Sequence, residues 1–347
     1  MSRLIRYTAI STGVLLVVFV AAGAVWLLAL GHRSDHQNEQ IVRSISEKLA
    51  PFLVTAPQLL WGTDLRSHGF PQSDFDSPYQ SYAAPTTVAM FDSLAAVVFR
   101  NSRYEGEQLV MDGNVVILSL ATDSVVTTAK WPGDWKGKKM LAPYWRKLIG
   151  VGPYVYCCTT DRQFYAYSDG YLIVSDAKVI GKGEVSPVAP SRQKTTVALG
   201  THGGPSSVEI THQDGSKSSF QTPCAYVHNS FVSRDVLVVI GCGALSVIGT
   251  DGRLIFSDAF PDADPKFGGA SKNGERFIVS VAVWHAGDPT YLTDEWLVVY
   301  DIDQHGPVFA VKSDPLPYLQ SQSALSADGK RLLTGSGGHL KLLNLPN

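Results

Sequence analysis

The sequence predicts an all-β domain held behind a single transmembrane helix, and three observations carry that expectation. An uncharged apolar run lies near the N-terminus. Beyond Pro85 the chain breaks into short runs rich in Val, Ile, Leu, Tyr and Phe. Asp-Gly and Asn-Gly pairs recur between those runs.

The apolar run extends from Tyr7 to Gly31. A bilayer core needs about 20 apolar residues as a helix, whereas the apolar region of a secretory signal has about 7–15. The length therefore favours an uncleaved anchor, with a cleaved signal peptide as the competing reading because Ala29 and Gly31 offer small residues at a cleavage site. Arg3 and Arg6 precede the run and Arg33 follows it. That bias keeps the N-terminus cytoplasmic and sends the rest of the chain across. The expected protein is single-pass, with its main domain periplasmic or at the cell surface.

From Asp35 to Leu53, Ile41, Ile45, Leu49 and Phe52 recur at spacings of three and four, which marks one face of a helix ended near Pro51. This reads as a short amphipathic stalk. The expected organisation is a cytoplasmic tail over 1–6, the anchor over 7–31, the stalk over 32–57 and the β-domain over 58–347. The Pro, Ser, Gln and Asp content of Pro71–Pro85 marks an irregular loop.

Strand candidates include Leu94–Phe99, Val115–Leu120, Val236–Ile240, Leu245–Ile248, Arg276–Val283, Trp296–Tyr300, Arg331–Thr334 and Leu340–Leu343. Turns are expected at Asp112-Gly113, Asp169-Gly170, Asp214-Gly215, Asp251-Gly252, Asn273-Gly274 and Asp328-Gly329, because such pairs supply the positive φ of tight hairpins. Units beginning near Pro85, Tyr144, Pro190, Tyr226, Lys266 and Tyr318 recur at roughly 35–50 residues, the size of one four-stranded propeller blade. The fold class expected is a β-propeller of about six blades. A pair of smaller sandwiches or barrels is the competing all-β reading, because the middle of the chain repeats weakly.

The C-terminal residues are more specific. Ser323-Ala-Leu-Ser-Ala-Asp328-Gly329-Lys330-Arg331-Leu332-Leu333-Thr334, followed by His339 to Leu345, resembles a blade of the WD-repeat-like propellers common in bacterial proteins. Weaker copies are Gly269–Ser280 with Trp296–Asp301, and Val88–Phe99 with Val116–Leu120. Only three strands of the last blade precede Asn347. Gln58–Leu65, isolated before the Pro71 loop, is the expected donor of the fourth, since a clasp of this kind covers an open sheet edge.

Composition limits the function. The chain of 347 residues carries 29 basic against 31 acidic residues. This near-balance makes no field to gather nucleic acid, so no nucleic-acid partner is expected. No cofactor is expected either, since no Gly-rich phosphate loop opens a helix and Gly200-Thr-His202-Gly203-Gly204 falls between strands. No metal site is expected: Asp301-Ile-Asp303-Gln-His305-Gly306 has acids at alternate positions before a glycine, but Lys312 stands where a calcium loop needs a bidentate Glu. Asp258, Asp262 and Asp264 read as an acidic turn. No catalytic residue is assigned, because His202, His228 and His285 have no sequence-evident nucleophile.

Cys224 and Cys242 flank a strand pair and can bridge in an oxidising compartment, or serve as small buried apolar residues. Cys157 and Cys158 are adjacent in a strand and face opposite sides. The expected binding loop is Trp131–Lys139, where Trp131 and Trp135 accompany Lys136, Lys138 and Lys139. Rings bury much area while neighbouring lysines steer anions, although the tryptophans can equally pack between sheets. His285–Glu295 forms a second insertion, inside a blade. The expected function is a binding or scaffolding module of the cell envelope, with an envelope protein or ligand as partner. A hydrolase or lyase of the same fold is the alternative, marked by carboxylates and a histidine around the central channel.

Overall fold

The computed structural model describes residues 34–68, 82–91, 93–105, 108–130, 140–141, 154–157, 163–168, 170–175, 178–183, 194–198 and 205–346, except 213, 225–226, 234, 272, 315–319 and 337. The Tyr7–Gly31 run and the Trp131–Lys139 loop lie outside the described residues. Among the described residues no helix is long and apolar enough to cross a membrane.

A helix over 34–49, α1, opens the described chain. The strands that follow are β1 (Leu59–Asp64), β2 (Tyr82–Phe91), β3 (Leu94–Glu105), β4 (Gln108–Ser119), β5 (Ser124–Lys130) and β6 (Met140–Leu141). Next come β7 (Tyr154–Cys157), β8 (Gln163–Ser168), β9 (Gly170–Ser175), β10 (Lys178–Gly183), β11 (Lys194–Ala198), β12 (Ser206–Thr211) and β13 (Lys217–Thr222). The third group is β14 (His228–Phe231), β15 (Val236–Gly241), β16 (Ala244–Gly249), β17 (Leu254–Ala259), β18 (Asp264–Ala270), β19 (Arg276–His285), β20 (Asp288–Asp301) and β21 (Gly306–Lys312). The last are β22 (Gln322–Leu325), β23 (Arg331–Ser336) and β24 (His339–Asn344). They form antiparallel sheets in sequence order: β2–β5 with β6 beside β4, β7–β10, β11–β13, β14–β17, β18–β21, and β22–β24 completed by β1. This is a β-propeller, and its closure is the expected clasp: β1 lies antiparallel along β24 from Leu59–Leu343 to Asp64–His339.

The cores lie between sheets. Val238, Ile240, Leu245 and Val247 of one sheet meet Val279, Val281, Trp296, Val298 and Tyr300 of the next. Ile278, Leu297, Val299 and Phe309 on the opposite face of β18–β21 meet Leu325, Leu332 and Leu343. Alternation of side chains along each strand supplies both faces.

Two expectations need correction. The 34–57 part of the supposed stalk is packed on the domain. Ile45 and Leu49 are buried in the core between sheets β14–β17 and β18–β21, with Ile41, Val42 and Phe52 beside them. Helical periodicity shows that a face is apolar but does not say what covers it. After the helix, Val54 N–H donates to Ala310 O at 2.9 Å and Ala310 N–H donates to Phe52 O at 2.8 Å, so the chain lies along the open edge of β21 before reaching β24. Asp112-Gly113 is the second correction. These residues pair with Asn101 and Arg100 in mid-strand, and the hairpin closes instead at the Glu105–Gln108 pair. The flanking Leu109, Val110, Val115 and Val116 favour continued strand and carry it through the Asp-Gly pair.

The turns at Asp214-Gly215, Asp251-Gly252, Asn273-Gly274 and Asp328-Gly329 follow the sequence, each with its glycine at positive φ, and Asp169 lies outside the described residues. In Ser326–Arg331, Gly329 at φ +68° lets its N–H donate to Ser326 O at 2.9 Å, and Ser326 Oγ accepts from Arg331 N–H at 2.9 Å. Ser271–Arg276 repeats both bonds, from Gly274 N–H to Ser271 O at 3.0 Å and from Arg276 N–H to Ser271 Oγ at 3.0 Å.

Candidate functional site

Among the described residues β20 is the longest strand, at 14 residues. β18 follows β19 only as far as Ala282, and β21 follows β20 only from Trp296, so the β19–β20 hairpin projects beyond its sheet. Ladder bonds continue across it from Val283–Asp294 to His285–Asp288, with bulges on either side of Trp284. This is the His285–Glu295 insertion.

The projecting end carries aromatic and cationic groups. Trp284 Nε1 donates to Asp264 Oδ2 at 3.2 Å, and Lys266 Nζ lies 5.7 Å above the Trp284 ring and 3.1 Å from the same carboxylate. Tyr291 is 41% exposed and meets the His285 ring edge-on at 6.4 Å. α1 braces the tip, where Asn38 Oδ1 accepts from Ala286 N–H at 3.1 Å and Asp35 Oδ1 lies 3.1 Å from His285 Nε2. The other ring nitrogen of His285 accepts from Gly287 N–H at 3.1 Å. Both nitrogens are occupied, which suits a positioned surface group better than a general base.

Beneath the hairpin, Glu295 is fully buried between sheets. It accepts from Ser280 Oγ at 2.5 Å and from Ser321 N–H at 3.0 Å. Burial pushes its carboxyl above the usual range, against the lowering effect of those donors. At the opposite end of the same joint, Arg276 Nε lies 3.1 Å from Asp301 Oδ2, and Arg276 Nη1 donates to Gly329 O at 3.2 Å and Pro346 O at 3.0 Å. Asp301 Oδ1 also accepts from Asp303 and Gln304 N–H. The Asp301–Gly306 segment is a turn whose first acid is committed to an arginine. Asp258 is likewise engaged, by Lys48 and by Tyr300 Oη at 2.7 Å. Burial and the neighbouring Asp258 charge raise the Tyr300 hydroxyl.

Thr63 Oγ1, His68 and Asp123 gather at the ring closure. His68 Nε2 lies 3.0 Å from Thr63 Oγ1 and 3.2 Å from Asp123 Oδ1. A relay needs the two imidazole nitrogens divided between nucleophile and acid. Here one nitrogen serves both, so the group works as a clip from the clasp to the β4–β5 turn.

Cys224 and Cys242 form a disulfide with Cα atoms 5.7 Å apart, tying the segment before β14 to the β15–β16 hairpin. Trp131, Trp135, Lys136, Lys138, Lys139, Cys158 and His202 lie outside the described residues. Among the described residues no three His, Cys, Asp or Glu side chains converge as a metal site. The Glu295 cluster escaped sequence reading because Ser321 comes from the connection before β22, 26 residues further along the chain. The hairpin left one trace, the length of its insertion.

No family model matches the chain. No curated protein matches it either. Among solved structures, the C-terminal WD40 domain of Sif2 is similar at 8% identity and TM-score 0.41, covering 85% of this chain and 98% of that one. A chain of the mitotic checkpoint complex is similar at 13% identity and TM-score 0.32, covering 85% and 97%. The Dos1 propeller is similar at 12% identity and TM-score 0.30, covering 77% and 68%. The propeller architecture stands on the strand pairing and the clasp, independently of these values.

Proposed function

We propose that this chain is a membrane-anchored, extracytoplasmic propeller of six blades that serves as a protein-binding or scaffolding module of the cell envelope. The observation that carries the reading is the succession of small antiparallel sheets with β1 paired onto β24, so that both ends of the β-domain meet in one sheet. Sheets pinned at both chain ends form a rigid scaffold, and recognition usually resides on the loops of such scaffolds. Anchorage is supported by the uncharged Tyr7–Gly31 run and its flanking charges. The Trp131–Lys139 loop is the proposed partner surface, since aromatic anchors with cationic neighbours are frequent at interface hot spots.

Two measurements test this reading. Protease added to intact spheroplasts is expected to remove the β-domain, and cleavage only after lysis would refute the topology. The double variant Trp135→Ala/Lys138→Ala is expected to lose in-cell cross-links to envelope proteins with its melting temperature nearly unchanged. A large fall in melting temperature for Trp135→Ala alone would instead assign the loop to packing, where truncating a buried Trp costs about 3–5 kcal/mol.

A further inference from the structure

The position of α1 relative to the anchor has a geometric consequence for the hairpin. Only His32 and Arg33 separate Gly31, the end of the apolar run, from Ser34. Three steps of extended chain reach at most about 11 Å. The headgroup layer on each side of the hydrocarbon core is about 5–8 Å thick. Ser34 and Asp35 are in turn fixed on the tip of the β19–β20 hairpin. Ser34 Oγ lies 3.2 Å from where a Cβ on Gly287 would sit, Asp35 meets His285 at 3.1 Å, and Asn38 holds Ala286 at 3.1 Å.

We propose that the tip of the β19–β20 hairpin is a lipid-facing element that rests in the headgroup layer of the anchoring bilayer. The proposal depends on the reading of Tyr7–Gly31 as a membrane span. The chemistry of the tip fits that surface. Tyr and Trp rings favour the membrane–water interface, where an apolar body and a polar edge are both accommodated. Tyr291 is 41% exposed on the hairpin, and Trp284 presents a ring already bonded through its Nε1 to Asp264. Lys266, half-exposed above that ring, is placed to meet lipid phosphate by extending its stem. The far end of the same strand pair is turned away from the bilayer. The ten residues of β19 span roughly 30 Å at the usual strand rise, and Arg276 at their start contacts Gly329 in the β22–β23 turn. The anchor and the hairpin thus fix which end of the propeller faces the membrane and which faces away.

The test uses the full chain reconstituted in vesicles of phosphatidylethanolamine and phosphatidylglycerol. A photo-crosslinking phenylalanine replaces Tyr291 in one sample and Lys330, exposed in the β22–β23 turn, in another. Lipid adducts are quantified by mass spectrometry after irradiation, and each sample is also washed in alkaline carbonate. The expected result is carbonate-resistant protein with at least about tenfold more lipid adduct at 291 than at 330. Carbonate-resistant protein with equal yields at the two positions would overturn the hairpin proposal and leave the anchor standing. Adducts at 291 only to a second copy of the chain would overturn it in favour of self-association. Protein released by carbonate would remove the anchor reading and the hairpin proposal together. Unchanged melting temperatures for both substituted chains, expected at exposed positions, tie the yields to the folded protein.

Discussion

The turns Ser271–Arg276 and Ser326–Arg331 share the bond from Gly N–H to Ser O and the bond from Arg N–H to Ser Oγ, yet their closing arginines have different tasks. Arg276 is buried and joins Asp301, Gly329 O and Pro346 O, so that one side chain ties β18–β21 to the turn and the tail of the next sheet. Arg331 is only partly buried, and its backbone N–H carries the turn bond. The comparison separates what a repeat encodes locally from what a single joint demands. The Ser, the Gly and the spacing between them specify the turn. Burial of the arginine is set by a neighbour far along the chain.

The largest expected effect tests that separation directly. Arg276→Ala leaves the Asp301 carboxylate buried without its partner, which typically costs about 3–5 kcal/mol. Arg331→Ala is expected to change stability by about 0.5 kcal/mol or less, as for a surface substitution. Urea unfolding of both variants checks the pair, and equal losses would show that the arginines belong to the turn motif after all.

Glu295 sharpens the picture at the other end of the same joint. Its folded pKa is raised, so the native state binds more protons than the unfolded chain between the unfolded value of about 4.3 and the folded one. Stability is therefore favoured below that window and declines as pH rises through it. Glu295→Gln is expected to flatten this decline in unfolding midpoints taken from pH 4 to pH 8. A variant that keeps the wild-type slope would place the titrating group elsewhere.

The smallest effect distinguishes Asp328 from Asn273 at the same place in the two turns. The Ser326 hydroxyl, with Lys330 N–H and the Arg331 charge behind it, lowers the Asp328 pKa. A depressed carboxylate stabilises above its unfolded value of about 3.9, and that support disappears as pH falls through the folded value. Hydrogen exchange at the Arg331 amide is expected to lose protection below about pH 4, whereas the Arg276 amide, whose turn carries an amide in place of the acid, keeps its own. Equal loss at both amides would assign the change to the whole sheet.

These contrasts explain which parts of the fold were legible. Ser-x-Asp-Gly between apolar runs names its own turn, and the missing fourth strand of the last blade named Gln58–Leu65 as its donor. Asp112-Gly113 was misread because a turn pair also fits mid-strand when β-formers surround it. The 34–49 helix showed its apolar face but not the groove between sheets that receives it. Glu295 was silent for a related reason: Ser280 faces it across the β19–β20 ladder, but Ser321 reaches it only through packing of the next sheet.

The clasp also has a history within the folding chain. Among the described strands β1 comes first and its partner β24 last, and the Gln58–Asn344 contact spans 286 residues. Pairings this distant form late and slowly, because the chain-closure entropy must be met before the contact returns any stability. Until then the edge of β24 stands open, and so does the edge of β21 if residues 52–54 wait with it. Both are templates for pairing with another molecule. A chain folding from its N-terminus therefore has to hold its first strand in reserve while the rest of the ring is built, and the interval before closure is when self-association competes most strongly with folding.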